Sequence, residues 1–321
     1  MGIWGKRMKV SVVVAALNER GFIGRLVDSV NDCEYKDKEV IVVDGGSTDG
    51  TAEIAERKGA SVVKETGEPR GPSHARNQGV EESDAEIVCV MDADEKVEDG
   101  FFENAIKHFE NDDVVAVKPG DRPVAIDCFV EKLHAKTYEL KDEIFSSSGS
   151  DSIPKFYFWR RGAWLDIGGH PESMGWKELV EFRDRAEEYI KENDYKAVVE
   201  PKSKVRFHMQ HSWSSLLRSF RWYGRSMVDF FKNRSNLGLR EIVANLHQPL
   251  FFLACLFAIA PIPIIQVICW LVVGLRFLVS VPFSLSKSEP TYLATPLLDF
   301  FAGFGILTGL AERVGGKNLS R

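Results

Sequence analysis

The stretch VVDGGSTDGT, Val42 to Thr51, ends a β-branched run on a carboxylate and turns at once through two glycines. Gly45 and Gly46 permit a tight turn, and Ser47 or Asp49 is suited to cap the helix that follows. Asp44 has no such duty in this reading. A carboxylate at a strand terminus beside a glycine turn suits a ribose hydroxyl or the N–H edge of a base. The spacing is not G-x-G-x-x-G, so a dinucleotide fold of dehydrogenase type is disfavoured.

On either side of this stretch, apolar runs alternate with helical patterns. KVSVVVAA, KEVIVVD, ASVVKE, EIVCVMDAD and DVVAVKP read as strands, with candidate helices near 20–31, 48–58, 72–82 and 98–110 between them. Such alternation predicts an α/β fold whose mainly parallel sheet is covered by helices on both faces. Ligand sites on open sheets of this kind form at the carboxyl ends of strands. Three strand ends carry candidate chemistry. The first, AALNER, offers Asn18 and Glu19; the second is Asp44; the third is MDAD, with Asp92 and Asp94 one residue apart. In an extended continuation side chains two apart share a face, so the two aspartates are placed to grip one hard divalent cation, with nucleotide phosphates completing its octahedron. A polar turn capping the helix near residue 98 would use the same residue types.

The order N-E, then V-D-G-G-S-T-D-G-T, then GPSHARNQG, then D-A-D resembles glycosyltransferase family 2, the inverting sugar transferases of GT-A fold. The resemblance is close over about residues 8 to 120 and looser to about 200. It implies nucleotide-sugar binding at Ala15, Leu17, Glu19, Val43, Asp44, Arg76, Asp92 and Asp94. It also implies Mg2+ or Mn2+ on Asp92 and Asp94, and a UDP- or GDP-linked sugar as donor. The family's usual Pro-Ala-Tyr-Asn-Glu stands here as AALNE. Downstream, Gly168, Gly169, Glu172, Glu178, Glu181 and Arg185 fall in register with the family's acceptor-side segment, but Leu179 occupies the usual position of the general base. Glu178 and Glu181 are the remaining candidates for that role. A sugar hydroxyl must lose a proton as it attacks, whereas a polyprenyl phosphate is already an anion. Leu179 thus favours a lipid phosphate acceptor, as in the family's dolichyl-phosphate sugar synthases, with lipid-linked glycan elongation as the near alternative. RSFRW carries Arg218 where processive synthases have glutamine, which disfavours a polymerising enzyme.

A net charge of -6 with 27% charged residues gives no support to nucleic-acid binding. Five cysteines without a C-x-x-C pair speak against a disulfide framework or a zinc site. The N-terminal MGIWGKRMKVSVVVAALNE lacks a small-residue cleavage site and reads as a strand rather than a signal peptide. The chain changes character after residue 245. From Pro249 to Phe283 the only charged residue is Arg276, and at about 1.5 Å per residue a helix of that length exceeds the roughly 30 Å hydrocarbon layer. Pro261 and Pro263 interrupt the run, predicting a hairpin of two helices or one span with a re-entrant piece. TYLATPLLDFFAGFGILTGLA, which contains Asp299, is a further candidate span; a buried helical subdomain is the alternative.

Before these spans, SWSSLLRSFRWYGRSMVDFFKN repeats Arg218, Arg221 and Arg225 at helical spacing among aromatics, which fits a helix at the lipid headgroups or one packed on the soluble domain. His208 and His211 lie nearby and are read as acceptor-side or structural. The expected organisation is a catalytic domain over 1–212, an amphipathic segment over 213–245 and a transmembrane region over 246–321. Arg313, Lys317 and Arg321 place the tail beside a cytoplasmic catalytic domain, implying a multi-pass cell-membrane protein with two crossings. The reading is a membrane-anchored hexosyltransferase. An inert nucleotide-sugar-binding scaffold in glycan assembly, or a nucleotidyltransferase, are its rivals.

Overall fold

The structure, a computed structural model, describes residues 8–67, 71–123, 128–136, 157–172, 178–208, 212–233, 239–257, 263–288 and 290–315. It divides into two compact units, Met1–Val124 with Ile153–His208, and Ala125–Ser152 with Met209–Arg321.

The strands of the first unit are β1 (Val10–Ala16), β2 (Lys38–Asp44), β3 (Ser61–Lys64), β4 (Ile87–Asp92), β5 (Glu95–Val97), β6 (Val114–Pro123), β7 (Phe158–Arg160) and β8 (Lys196–Phe207). They form one sheet in the order β3-β2-β1-β4-β7-β6-β8-β5. The first four run parallel, as the β-α alternation predicts. β7 runs antiparallel to both β4 and β6, and β5 to β8, so the sheet is mixed rather than parallel throughout. The helices α1 (Ile23–Asp32), α2 (Thr51–Arg57), α3 (Pro72–Glu82) and α4 (Phe101–Ile106) fall where the apolar periodicity puts them.

Strand alternation divides the core between the two faces. Val10, Val12, Val14, Cys89 and Met91 pack with Ile23, Leu26 and Val27 of α1 and Phe101 and Phe102 of α4. Val13, Val88 and Val90 point the other way and pack with Val80 of α3. Trp164 of α6 (Arg161–Ile167) and Phe182 of α7 (Glu178–Glu192) lie in the same cluster. Both faces of the central strands are therefore apolar, which explains why their sequences read as unbroken valine-rich runs. α3 sits close to the sheet because of Gly79, where a Cβ would fall 2.4 Å from Val13 Cγ1.

The second unit holds α5 (129–136), α8 (Trp213–Asn233), α9 (Leu239–Phe257), α10 (Pro263–Lys287) and α11 (Thr295–Val314). Within this unit α8 packs along α11. A Cβ on Gly309 would be 1.9 Å from the Arg221 carbonyl, and one on Gly224 2.0 Å from that of Ile306, so the two backbones meet through glycine. Among the described residues two helical stretches, Val267–Lys287 and Pro290–Val314, are long and apolar enough to cross a membrane. Length and composition are weak evidence of crossing, since core helices of soluble proteins share them. Segment 258–262, with Pro261, lies outside the described residues.

One polar cluster is buried among these apolar helices. Asp299 of α11, wholly inaccessible, lies 2.5 Å from Arg276 Nη2 of α10 and accepts a hydrogen bond from Gln248 Nε2 of α9 at 2.8 Å. Arg276 also donates to Ser280 at 2.9 Å and to Thr295 at 3.3 Å. Removing one partner of a buried pair strands the other charge, so Arg276→Leu is expected to destabilise this unit by about 3–5 kcal/mol, and Arg276→Leu with Asp299→Leu to recover most of that. Thermal unfolding of the chain checks both.

Candidate active site

The carboxyl ends of β1, β2 and β4 meet at one place. Ala15 pairs with Val43 on one side and with Asp92 on the other, and Ala16 pairs with Asp44. Four of the expected positions, Ala15, Val43, Asp44 and Asp92, are thus adjacent because parallel strands end together.

The loops above these ends are joined by hydrogen bonds that use nearly every polar residue of the motif. Asn18 N–H donates to Ser47 Oγ at 2.9 Å, Glu19 N–H to Thr51 Oγ1 at 2.8 Å and Arg20 N–H to Asp49 Oδ2 at 3.1 Å. In return Asn18 Oδ1 accepts the Thr48 N–H at 3.0 Å, with Asn18 in the left-handed region at φ 58°. The Thr51 hydroxyl donates to Asp49 Oδ1, a bond that holds the Asp49 carboxyl below the usual carboxylate range.

Asp44 differs from the expectation. Its Oδ2 accepts N–H bonds from both Gly46 and Ser47 at 3.0 Å, so this carboxylate builds the turn as well as ending the strand. Beside it stands Glu65, a buried residue that the motif reading passed over. Its N–H donates to the Asp44 carbonyl at 2.9 Å and its Oε1 accepts the Gly71 N–H at 2.8 Å.

Arg76, on α3, is buried, and its Nη2 lies 2.7 Å from Asp92 Oδ1. The chain turns at Ala93 and Asp94 instead of running on extended, so the alternation argument for Asp92 and Asp94 does not hold. What fixes the turn is Glu95, a buried carboxylate that accepts the Asp92 N–H and the Tyr157 hydroxyl, both at 2.8 Å. Both aspartates remain half-exposed. Asp94 is reached from the far side of the sheet, because its carbonyl accepts the His208 N–H at 3.1 Å where β5 pairs with β8. The His208 ring lies 5.2 Å from that of Phe22.

The remaining expected residues are placed as follows. Leu17 and Glu181 are exposed. Glu178 and Leu179 open α7 with side chains outside the described set, and His211 lies outside the described residues. Arg218 is exposed on α8, whereas Arg221 and Arg225 approach Glu312 of α11 at 3.9 and 3.8 Å. Arg185, which the sequence placed in register, donates to the carbonyls of Ile167 and Gly169 and so clamps the turn made by Gly168 and Gly169 at φ 84° and 63°.

A mixed α/β sheet that brings Asp44, Arg76, Asp92 and Asp94 to one edge is the GT-A nucleotide-diphospho-sugar transferase architecture. A mannosyltransferase from Pyrobaculum calidifontis, solved with GDP-Man and Mn2+, has this fold, with a TM-score of 0.56 and 20% identity over 94% of this chain and 87% of that one. Residues 11–163 match the model of Glycosyl transferase family 2. Among curated relatives, a cholesterol galactosyltransferase of Borreliella burgdorferi is 32% identical over 100 residues, 30% of this chain and 28% of that protein. A poly-β-1,6-N-acetyl-D-glucosamine synthase of Staphylococcus epidermidis is 31% identical over 93 residues, 28% of this chain and 23% of its own length. The chain therefore spans less than a third of these relatives.

Thr51 supplies a test of the joined loops. It is fully buried, and Thr51→Val leaves the Glu19 N–H without its acceptor. The expected loss is about 1–3 kcal/mol of stability, with Thr51→Ser close to the parent, both read by denaturant unfolding.

Proposed function

We propose that the chain is a membrane-anchored hexosyltransferase that moves a sugar, with inversion, from a UDP- or GDP-linked donor to a membrane-lipid acceptor, either a polyprenyl phosphate or a lipid-linked glycan. The observation that carries this reading is the convergence of Asp44, Arg76, Asp92 and Asp94 on three adjoining strand ends. Ala15, Leu17, Glu19 and Val43 border the same edge and are assigned with Asp44 to the nucleoside, and Arg76 to the diphosphate. The Asp44 turn leaves its carboxylate oxygens further lone pairs for a ribose or base donor.

The residues present fit a hard divalent cation. Asp92 and Asp94 offer half-exposed carboxylate oxygens. Among the described residues no group of three His, Cys, Asp or Glu side chains forms a complete cage, so phosphate oxygens and water would supply the rest of an octahedron. Mg2+ or Mn2+ held there would neutralise charge developing on the departing diphosphate. Glu95 contributes by fixing the backbone of Asp92, and Arg76 by holding its carboxylate.

The acceptor follows from the missing base. Leu179 stands at the base position and Glu181 is exposed, so an acceptor that arrives already ionised suits the site better than a hydroxyl. Exposed apolar side chains along α10, including Leu271, Leu275, Leu278 and Leu285, support a bilayer as the surroundings of the second unit. With α10 and α11 as two crossings and Arg313, Lys317 and Arg321 on the tail, the positive-inside rule puts the catalytic unit on the cytoplasmic side.

The test is incubation of membranes containing the chain with radiolabelled UDP- and GDP-sugars, followed by extraction and mild acid treatment of labelled lipid. Acid-labile product is expected for a phosphate acceptor and acid-stable product for a glycan hydroxyl. Asp92→Asn or Asp94→Asn is expected to lower metal-dependent transfer at least about 100-fold, the equivalent of roughly 2.7 kcal/mol. Full activity in either variant sinks the metal assignment. Tight nucleotide binding without transfer to any lipid extract supports the inert scaffold instead.

A further inference from the structure

His74 stands on the first turn of α3, two residues before Arg76, and its ring faces two elements at once. Nε2 is 2.5 Å from the carbonyl of Thr66, in the segment that leads from β3 toward α3. Nδ1 is 3.1 Å from Glu172 Oε1, in the turn that follows α6. A carbonyl and a carboxylate both accept and neither donates. A neutral imidazole has one N–H, enough for the Thr66 carbonyl, whereas the imidazolium adds a positive charge that pairs with the Glu172 carboxylate.

The two elements joined in this way flank the candidate site. Thr66 follows Glu65, whose N–H is bonded to the Asp44 carbonyl, so this segment belongs to the donor side. Its register is fixed further by Gln78, which accepts the Thr66 N–H at 3.0 Å and donates to the Lys64 carbonyl. The turn from Gly168 to Glu172 is the part that resembles the acceptor side. It is tied to α3 a second time through Asn77, which exchanges hydrogen bonds with His170 N–H and C=O at 2.8 Å each and donates to Glu172 Oε1 at 3.1 Å. A Cβ on Gly169 would lie 2.5 Å from Asn77 Oδ1, so the turn has no slack against α3.

We infer that His74 is a positioning residue which, in its charged form, clasps the donor-side segment at Thr66 to the Gly168 to Glu172 turn, making the alignment of the two sides of the site depend on protonation. For its effect on turnover the inference rests on the transferase reading above; the clasp itself does not. The titratable groups that face the ring are Glu172 and Glu65; Asn77 and Gln78 on its own helix are neutral. Burial works against the charge, but the Thr66 carbonyl and the Glu172 carboxylate outweigh it and raise the pKa above that of an ordinary histidine. A raised pKa means the clasp is complete at low pH and is lost as pH rises through the ring's titration.

The experiment uses the full-length chain in detergent. Ring 15N NMR, assigned with His74→Lys, is expected to show both His74 nitrogens protonated at pH 6, with a titration midpoint that falls by about one unit in Glu172→Gln. Calorimetry with UDP or GDP plus Mn2+ then reads the alignment. Wild-type affinity is expected to weaken several-fold as pH crosses that midpoint, while His74→Lys, which keeps a charged donor, stays near the low-pH value. Taking the difference between the two chains removes the nucleotide's own phosphate titration. An unchanged midpoint in Glu172→Gln, or a ring with one proton at pH 6, overturns the clasp. Equal pH profiles in wild type and His74→Lys, or no nucleotide binding at any pH, overturn its positioning role. A clasp with pH-dependent nucleotide affinity but no sugar transfer upholds this inference and removes the transferase reading alone.

Discussion

Parallel strands that end level leave their loops side by side with unsatisfied N–H groups, and the architecture depends on how those groups are paired. After β1 and β2 the donors of Asn18, Glu19 and Arg20 meet the side-chain oxygens of Ser47, Thr51 and Asp49. Backbone donors buried without such partners would each cost about 1–3 kcal/mol. The residues of this seam are therefore set by two loops at once. This is why V-D-G-G-S-T-D-G-T is a specific signature whereas two aspartates one apart are not. The same seam leaves Ala15 and Asp92 half-exposed at the strand ends, beside the buried Asp44.

The half of the fold built from local alternation was legible in the sequence. β1 to β4, β6 and α1 to α4 follow from valine-rich runs, glycine turns and helical spacing, each of which acts within about a dozen residues. β5 and β7 were not legible, since three residues carry no period. β8 was missed because Pro201 and its charged neighbours interrupt the pattern, and its pairing shifts register between Pro119 and Gly120 to accommodate them. Site residues divided in the same way. Asp92 was marked by its place at a strand end. Glu95, Glu65 and the His74 pair with Glu172 act through contacts between distant segments, and no local spacing announces such contacts.

A local rule also failed where a distant contact overrode it. The expectation that Asp92 and Asp94 share a face assumed an extended backbone, but Glu95 draws the Asp92 N–H into a turn. Asp44 was assigned to ligand alone because its two turn bonds cost nothing in sequence pattern. Both cases place the buried carboxylates, not the exposed ones, in charge of backbone shape at the site.

The second unit obeys the opposite economy of polar groups. Along α8 and α11 the contact is made by glycine and apolar side chains, with Arg221 and Arg225 near Glu312, and a further polar cluster is buried around Asp299. Arg276 is the only charge between Pro249 and Phe283, and it is directed at that aspartate rather than left on the apolar surface of α10. α10 thus turns the one charge in its middle toward a buried aspartate and leaves leucine exposed, the placement that keeps charge off its apolar face.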